Sequence, residues 1–209
     1  ILDLGENQGM QTALNLGVMN ATNEIIFIVN DDNVFCKNYD LTIEKSLKNS
    51  KTVLTLNQIE PTGPGIFNFP VNNLGRNPKE FKYEEFIKYE QSISKDELTV
   101  DGGIFPFAMH KKYYMAAGGF DTMYQSPFIC DWDFFLKLDL IGLGFVRTHN
   151  SHLYHFGSTA TKNGSEGDKF KATEGPAAEM FKYKWGMIPN LYENNSHRPK
   201  GVRIKGIIF

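Results

Sequence analysis

The stretch Glu24-Ile25-Ile26-Phe27-Ile28-Val29-Asn30-Asp31-Asp32-Asn33 predicts how the rest of the chain is arranged. Its apolar part, Ile25 to Val29, is rich in β-branched residues, which is typical of a strand buried on both faces in a parallel sheet. The run stops at four short polar residues that favour a turn. Ligands of open α/β sheets bind at the carboxyl ends of strands, and adjacent carboxylates there suit a hard cation such as Mg²⁺ or Mn²⁺. A polar turn after an ordinary core strand would have the same sequence.

Composition limits the classes of protein to which the chain can belong. Its 209 residues suit one domain, or one domain with a small appendage, and its net charge of −2 argues against a general nucleic-acid-binding surface. The two cysteines, Cys36 and Cys130, form neither a metal-binding pattern nor a disulfide framework, so a reducing compartment is the simpler expectation. No apolar run approaches the length of a transmembrane segment.

The residues before the quoted stretch predict a β-α-β unit. Ile1 to Leu4 reads as the end of a strand, and Met10 to Ala21 has apolar residues at helical spacing. The first strand and the strand after the helix should therefore be parallel, with a right-handed crossover. Asn7 and Gly9 form a turn where the helix N-terminus would point at the strand ends. That position suits phosphate or ribose contacts, although Asn-x-Gly is also a common turn sequence.

Further along the chain, hydrophobic periodicity and turn residues predict more helices and strands. The expected elements are a helix from Tyr39 to Asn49, a strand from Thr52 to Leu56, a long loop from Ile59 to Pro78, a helix from Pro78 to Ile93, a strand from Thr99 to Met109, a helix from His110 to Ala117, a helix that begins at Asp131 and a strand from Phe145 to Thr148. This alternation predicts an α/β domain.

Two later stretches carry side chains that suit catalysis or metal binding. Asp131 and Asp133 lie in the first turn of a predicted helix, where the helix dipole favours carboxylates and where one of them would be placed to act as a general base. They are about 200° apart around a helix, so only one can face a cleft. His155 precedes a loop of small residues that would let the backbone approach phosphates, and neutral imidazole joins carboxylates around Mn²⁺. A lone histidine is more often structural.

A set of motifs occurs in a characteristic order along the chain. Its members are the Asn7-x-Gly9 turn, Ala13-x-Asn15-x-Gly17, the strand into Asn30-Asp31-Asp32, Gly118-Gly119-Phe120-Asp121, Asp131-Trp132-Asp133 and His155-Phe156-Gly157-Ser158. This ordered set resembles the GT-A-fold nucleotide-sugar glycosyltransferases, most closely the inverting family 2. The resemblance implies a mostly parallel central sheet flanked by helices, in a domain over residues 1–186 followed by a C-terminal tail over residues 187–209. The family's first strand-helix-strand segment, which contacts the nucleotide base, has no counterpart in this sequence.

The resemblance also implies an activity. A metal-dependent enzyme of this kind moves a hexosyl or deoxyhexosyl group, with inversion, from a nucleotide-diphosphate sugar to an acceptor hydroxyl during glycan biosynthesis. The implied cofactor is Mn²⁺ or Mg²⁺, and the donor would be UDP-, GDP- or dTDP-linked. The acceptor would be a glycan, a lipid-linked molecule or a protein, and nucleic acid is not an expected partner. The expected location is the cytoplasm, or the membrane surface where the acceptor is held there.

Individual residues receive roles from the same resemblance. Asn30-Asp31-Asp32 matches the Asp-x-Asp signature, so Asp32 and His155 are expected to bind the metal, with the Asn30 amide in place of a first aspartate. Asp131 matches the catalytic base, Asp133 matches a carboxylate that orients hydroxyls, and Cys130 stands where many members have an acid. The expected donor-binding residues are Asn7, Gly9, Asn15, Asn30, Asp31, Gly103, Ser158 and Lys162, and the expected acceptor-binding residues are Gly119 and Trp132.

Two other functions remain open from the sequence. A metal-dependent nucleotidyltransferase also uses acidic strand ends, but it would need a phosphate-binding loop rich in glycine and lysine near its start, and none is visible. A non-catalytic protein that binds sugars or nucleotides is favoured by the missing first segment.

Overall fold

A six-stranded mixed sheet organises the part of the chain that the computed structural model describes, which is residues 2–63, 68–157 and 164–189. The described helices are α1 (Met10–Asn20), α2 (Tyr39–Leu47), α3 (Tyr83–Ile93), α4 (Lys111–Ala116), α5 (Cys130–Leu140) and α6 (Gly164–Trp185). The strands are β1 (Ile25–Ile28), β2 (Asn33–Phe35), β3 (Thr52–Ile59), β4 (Leu98–Thr99), β5 (Phe107–His110) and β6 (Gly144–His155). The expected α/β class is therefore present. None of these helices is both long and apolar enough to cross a membrane.

The sheet is mixed rather than mostly parallel. Its strand order is β1-β5-β3-β6-β2, and β4 pairs with the side of β6 as an additional short strand. Only the pair β3–β6 is parallel, whereas β1–β5, β3–β5, β2–β6 and β4–β6 are antiparallel. The expectation of a mostly parallel sheet was therefore wrong. That expectation rested on the apolar run of β1. Any strand covered on both faces has such a run, whether the neighbouring strands are parallel or antiparallel to it.

Three strands nevertheless end on the same side of the sheet. Since β5 is antiparallel to both β1 and β3, β1 runs in the same direction as β3, and β6 runs parallel to β3. We call the side where β1, β3 and β6 end the carboxyl edge. Residues 29–32 lead from β1 to β2, which lies at the opposite end of the strand order. The polar turn after β1 reaches the end of β6, where the Phe156 N–H donates to the Asp32 carbonyl oxygen.

Helices cover both faces of the sheet. On one face, Phe134 and Phe135 of α5 pack with Val53 of β3, Phe107 of β5 and Phe145 of β6, in a cluster that α1, α4 and α6 also join. On the other face, the α2 side chains Ile43 and Leu47 pack on Leu54 and Leu56 of β3. Alternate residues of β3 thus face opposite helical layers, as the strand period of two requires. Full burial of each such side chain stabilises the fold by roughly 1.5–3 kcal/mol.

Two expected strands differ in the structure. Leu2 to Leu4 form no strand, so the hydrogen-bonded neighbour of β1 is β5, not a preceding parallel strand. The strand expected from Thr99 to Met109 is divided into β4 and β5 by the loop over residues 100–106. The loop packs so tightly against β6 that a Cβ atom on Gly102 would lie 2.5 Å from the carbonyl oxygen of Val146. Only a glycine leaves enough space for this approach.

Strand β6 is longer than expected and includes three histidines. It continues past Thr148 through His149 and His152 to His155. Its pairing with β3 shifts after Leu56, so that Asn57 lies opposite His152 and the intervening residues bulge. The polar residues of this part of β6, such as His149 and His152, can remain in a buried strand because neighbouring side chains form hydrogen bonds with them. The alternation of apolar and polar residues in the sequence does not reveal these neighbours.

The buried His152 is bonded to Glu90 of α3. One Glu90 carboxylate oxygen accepts hydrogen bonds from the Ser94 hydroxyl at 2.8 Å and from the His152 backbone N–H at 3.3 Å. The same oxygen lies 3.6 Å from His152 Nδ1. Burial by itself would raise the pKa of Glu90, but the bonds from His152 and Ser94 outweigh it and hold the pKa below its ordinary value.

We expect Glu90→Gln to lower the free energy of unfolding at pH 7. A carboxyl group whose folded pKa is depressed contributes stability that is fully present above its unfolded pKa of about 4.3 and is lost as the pH falls through the folded pKa. The difference in the free energy of unfolding between wild type and Glu90→Gln should therefore persist from neutral pH to about pH 4.3 and disappear as the pH falls further. Urea unfolding at several pH values measures this difference. Glu44→Gln, an exposed change on α2, is the control, and equal pH dependence in both variants would contradict the prediction.

Candidate active site

The carboxyl edge brings together three titratable side chains from distant parts of the chain. Asp32 follows β1, Glu60 follows β3, and His155 is the last residue of β6. His155 Nε2 lies 3.3 Å from Asp32 Oδ1, and His155 Nδ1 lies 2.7 Å from Glu60 Oε1. The structure thus places the two expected metal ligands, Asp32 and His155, beside each other. Their binding of a metal stays a prediction.

Backbone hydrogen bonds fix the acidic turn against the end of β6. The Phe156 N–H donates to the Asp32 carbonyl oxygen at 3.1 Å, and Asn33 lies opposite His155 in the β2–β6 pair. The Asn30 N–H donates to the Asn33 side-chain oxygen at 3.1 Å. The turn is therefore held in place by both its backbone and its flanking asparagine. Asp31 is exposed within it and Asn30 is half-buried, and their donor-binding roles remain predictions.

The two neighbouring carboxylates control the charge of His155. Burial alone would lower the pKa of His155, but the hydrogen bonds and charges of Asp32 and Glu60 outweigh it and raise the pKa to about 9. At neutral pH the imidazole of the metal-free protein is therefore protonated, and each ring N–H faces a carboxylate. The sequence suggested a neutral imidazole ligand, so a metal at Nε2 would have to replace a proton.

The donor set at this edge fits a hard cation that also binds substrate. Within residues 2–63, 68–157 and 164–189, no group of three or more His, Cys, Asp or Glu side chains is arranged to hold a metal ion alone. Glu60 contacts Nδ1 of His155, whereas Asp32 lies near Nε2, so Asp32 and His155 are the two side chains whose donor atoms lie side by side. Mg²⁺ is usually held by one or two carboxylates together with water and substrate phosphates, and Asp32 supplies one such carboxylate.

Helix α5 leads directly into β6. The helix packs on the sheet, and its C-terminus connects through residues 141–143 to the first residue of β6, so it runs opposite to β6 and its N-terminal turn, with Asp131, points in the direction of the carboxyl edge. With 11 residues, α5 extends along only the first part of the 12-residue β6. Asp131 is largely buried, at 8% exposure, and its Oδ1 accepts a hydrogen bond from the Trp132 N–H at 3.0 Å. Ile129, with a φ of 70°, makes the sharp entry into the helix.

Contacts from α1 fix the segment before Asp131. The Gln11 side-chain amide donates to the Ser126 carbonyl oxygen at 2.6 Å, which joins the first turn of α1 to the loop that precedes α5. Burial, together with the nearby charge of Asp131, raises the pKa of the Cys130 thiol well above its ordinary value. Cys130 therefore stays a neutral thiol at physiological pH and does not replace the carboxylate that the resemblance places there.

Asp133 is enclosed in the interior. Its side chain has no exposed surface, and it contacts four polar groups. These are Lys184 Nζ at 2.7 Å, Trp185 Nε1 at 2.8 Å, the Tyr124 hydroxyl at 3.3 Å and Lys137 Nζ at 3.4 Å. Lys184 also bonds Asp121 at 2.7 Å. This geometry does not support the expected contact between Asp133 and substrate hydroxyls; it gives Asp133 the role of joining α5 to α6.

Several other expected binding residues make structural contacts. The Asn15 side-chain oxygen accepts hydrogen bonds from the Phe120 N–H at 2.9 Å and the Tyr114 hydroxyl at 2.7 Å, and its amide donates to the Phe120 carbonyl oxygen at 2.8 Å. Gly119 adopts a φ of 68°, and a Cβ there would collide with the Asn15 side chain. Trp132 packs in the apolar cluster of α5. In this structure Asn15 and Gly119 hold the turn before α5 in place, and Trp132 serves the core.

The remaining expected donor-binding residues are divided between turns and segments outside the described residues. The Asn7 side-chain oxygen accepts the Gly9 N–H at 2.9 Å, which forms a turn directly before α1. Gly103 has a φ of 88° in the loop before β5. Ser158 and Lys162 lie outside the described residues, as do residues 190–209 of the expected tail.

Glu60 is the member of the site that the sequence analysis missed. It follows the buried strand β3 directly, just as Asp32 lies in the turn after β1, so the same strand-end rule would have identified it. Its position inside a segment interpreted as a long loop concealed it.

Comparison with known proteins finds likenesses among solved structures. No protein-family model matches the chain, and no curated protein matches it. A crystal structure of GalNAc-T7 with UDP, GalNAc and Mn²⁺ resembles it with a TM-score of 0.49 and 12% sequence identity, over 72% of this chain and 31% of that one. The chain thus spans about a third of the length of that protein. At this level of similarity the likeness establishes neither a family nor a function for this chain.

We expect Lys184→Met to lower the free energy of unfolding by ~3 kcal/mol, because it removes the cation closest to the fully buried Asp133 and leaves that charge incompletely compensated. Lys182→Met is the matched control, since Lys182 forms an exposed ion pair with Glu179 at 3.8 Å. It should change the free energy of unfolding by less than about 0.5 kcal/mol. Urea denaturation of both variants measures the difference, and equal effects would show that Asp133 does not depend on Lys184.

Proposed function

We propose that this chain is a metal-dependent glycosyltransferase that moves a sugar from a nucleotide-diphosphate sugar to an acceptor hydroxyl with inversion. The observation that carries the proposal is the convergence of Asp32 and His155 at the carboxyl edge. The ordered motifs of the sequence support it independently. A nucleotidyltransferase is less well supported, because it requires a phosphate-binding loop that the sequence lacks.

In this proposal, Asp32 and His155 hold the divalent cation, Mn²⁺ or Mg²⁺, that binds the donor diphosphate. When bound, such an ion acts as a Lewis acid that stabilises the negative charge of the leaving diphosphate. Asn30 and Asp31 occupy the same turn and would contact the donor. The N-terminus of α1, which follows the Asn7 turn, lacks a side-chain cap. Its backbone N–H groups suit phosphate oxygens.

Asp131 is the proposed general base. It would accept the proton of the acceptor hydroxyl while the hydroxyl oxygen attacks the anomeric carbon and the diphosphate leaves. A single displacement inverts the anomeric configuration. Asp133 would support this step indirectly by anchoring α5. The donor would be UDP-, GDP- or dTDP-linked, and the acceptor a glycan, a lipid-linked molecule or a protein.

We expect Asp32→Ala to weaken Mn²⁺-dependent binding of a nucleoside diphosphate at least tenfold, because the substitution removes a charged ligand of the proposed cation. Isothermal titration of wild type and variant with UDP, GDP and dTDP, each with and without Mn²⁺, measures the loss. Asp96→Ala is the control, since Asp96 is exposed and pairs only with Lys45 at 3.7 Å. Wild-type protein that binds none of the three in the presence of Mn²⁺ would contradict the proposal.

We expect Asp131→Asn to lower the rate of nucleotide-sugar hydrolysis by roughly 10²–10⁴-fold while donor affinity and melting temperature stay near wild type, because a general base acts in the transition state. Single-turnover assays measure the rate of hydrolysis, and a separate titration measures donor affinity, so a slower chemical step is distinguished from weaker donor binding. Asp139→Asn, near the other end of α5, is the control. Near-normal turnover in Asp131→Asn would remove Asp131 from the mechanism, and binding without turnover in the wild type would identify a non-catalytic binding protein.

A further inference from the structure

We propose that Glu60 is a positioning residue that holds the His155 imidazole with Nε2 toward Asp32 and toward a cation bound there. The cation in this inference rests on the proposed function. The orientation of the ring does not, because it follows from the hydrogen bond between Glu60 and His155.

The geometry at the ring separates the roles of the two carboxylates. Glu60 Oε1 lies 2.7 Å from Nδ1, a strong charge-assisted hydrogen bond, whereas Asp32 Oδ1 lies 3.3 Å from Nε2. A histidine has two ring nitrogens, and the bond made by one determines which way the other points. Because Glu60 occupies Nδ1, Nε2 is the nitrogen directed at Asp32. Glu60 itself contacts the opposite side of the ring and is therefore a partner of the ligand, not a ligand.

A residue can orient a neighbour only if its own position is fixed. The Glu60 N–H donates to the Pro70 carbonyl oxygen at 2.9 Å, and the Glu60 carbonyl oxygen accepts the Asn72 N–H at 2.9 Å. Glu60 also extends directly from the end of β3, which pairs with β6 up to the residue before His155. The donor and the acceptor of the Glu60–His155 bond thus belong to adjacent, paired strands. This attachment keeps the carboxylate in register with the ring.

The surroundings of the bond strengthen it. The Glu60 side chain is 19% exposed and the His155 side chain 9% exposed, so water competes weakly for either partner. A carboxylate on the far nitrogen also makes the imidazole a stronger electron donor, and loss of such a partner typically weakens metal binding 10–100-fold. Glu60 would therefore affect the cation through both the direction and the basicity of His155.

The first test measures Mn²⁺ binding with and without UDP, by the electron paramagnetic resonance signal of the free ion. Glu60→Gln keeps the size of the side chain and removes its charge, so it should weaken Mn²⁺ binding 10–100-fold with a melting temperature near wild type. Glu44→Gln, exposed on α2, is the matched control and should bind as wild type does. Unchanged Mn²⁺ affinity in Glu60→Gln would overturn the positioning role while leaving the proposed function intact.

The second test needs no metal. The protein has five histidines, so ¹⁵N-histidine labelling gives few ring signals, and His155→Asn identifies those of His155. The His155 Nδ1–H proton should exchange slowly in wild type and quickly in Glu60→Ala. A signal that Glu60→Ala leaves unchanged would overturn the inference. Wild type that binds no Mn²⁺, either alone or together with UDP, GDP or dTDP, would overturn both the cation role and the proposed function, a result distinct from failure at Glu60 alone.

Discussion

The parallel pairing of β3 with β6 is the constraint on which the candidate site depends. The two strands pair over the whole length of β3, so their carboxyl ends coincide and Glu60 comes beside His155. Strand β1 reaches the same orientation through two antiparallel pairings, and its polar turn then carries Asp32 across the strand ends to His155. An antiparallel β6 would place His155 at the opposite edge, and the cluster would not form.

Local patterns in the sequence predicted the parts of the structure that depend on local physics. The helical spacing of Met10 to Ala21 predicted α1 within one residue, and the apolar run before Asn30 predicted a buried strand that ends in a polar turn. The proximity of Asp32 and His155 was also anticipated, but through an ordered set of motifs rather than through spacing. Asp32 lies in the turn after β1 and His155 ends β6, so the ends of two strands fix these two residues.

The parts that could not be predicted depend on neighbours distant in sequence. Nothing in the apolar run of β1 shows that its partner would be the antiparallel β5. The polar residues of β6 beyond Thr148 resemble a loop unless Glu90 and Asn57 are known to lie beside His152. Burial of Asp133 depends on Lys184, 51 positions later, so a pair of carboxylates in a first helical turn gave no sign of it. In the last two cases a long-range polar contact outweighed the local pattern.

The two carboxylates at the start of α5 show how burial assigns different roles to similar residues. A buried carboxylate is costly unless cations and hydrogen-bond donors surround it, and Asp133 has both, from Lys184, Lys137, Trp185 and Tyr124. These contacts fix the first turn of α5 against α6. Groups on rigid elements hold a reactive geometry better than groups on loops do. Asp133 therefore holds the start of α5 in place and, with it, the position of Asp131, two residues earlier on the same helix.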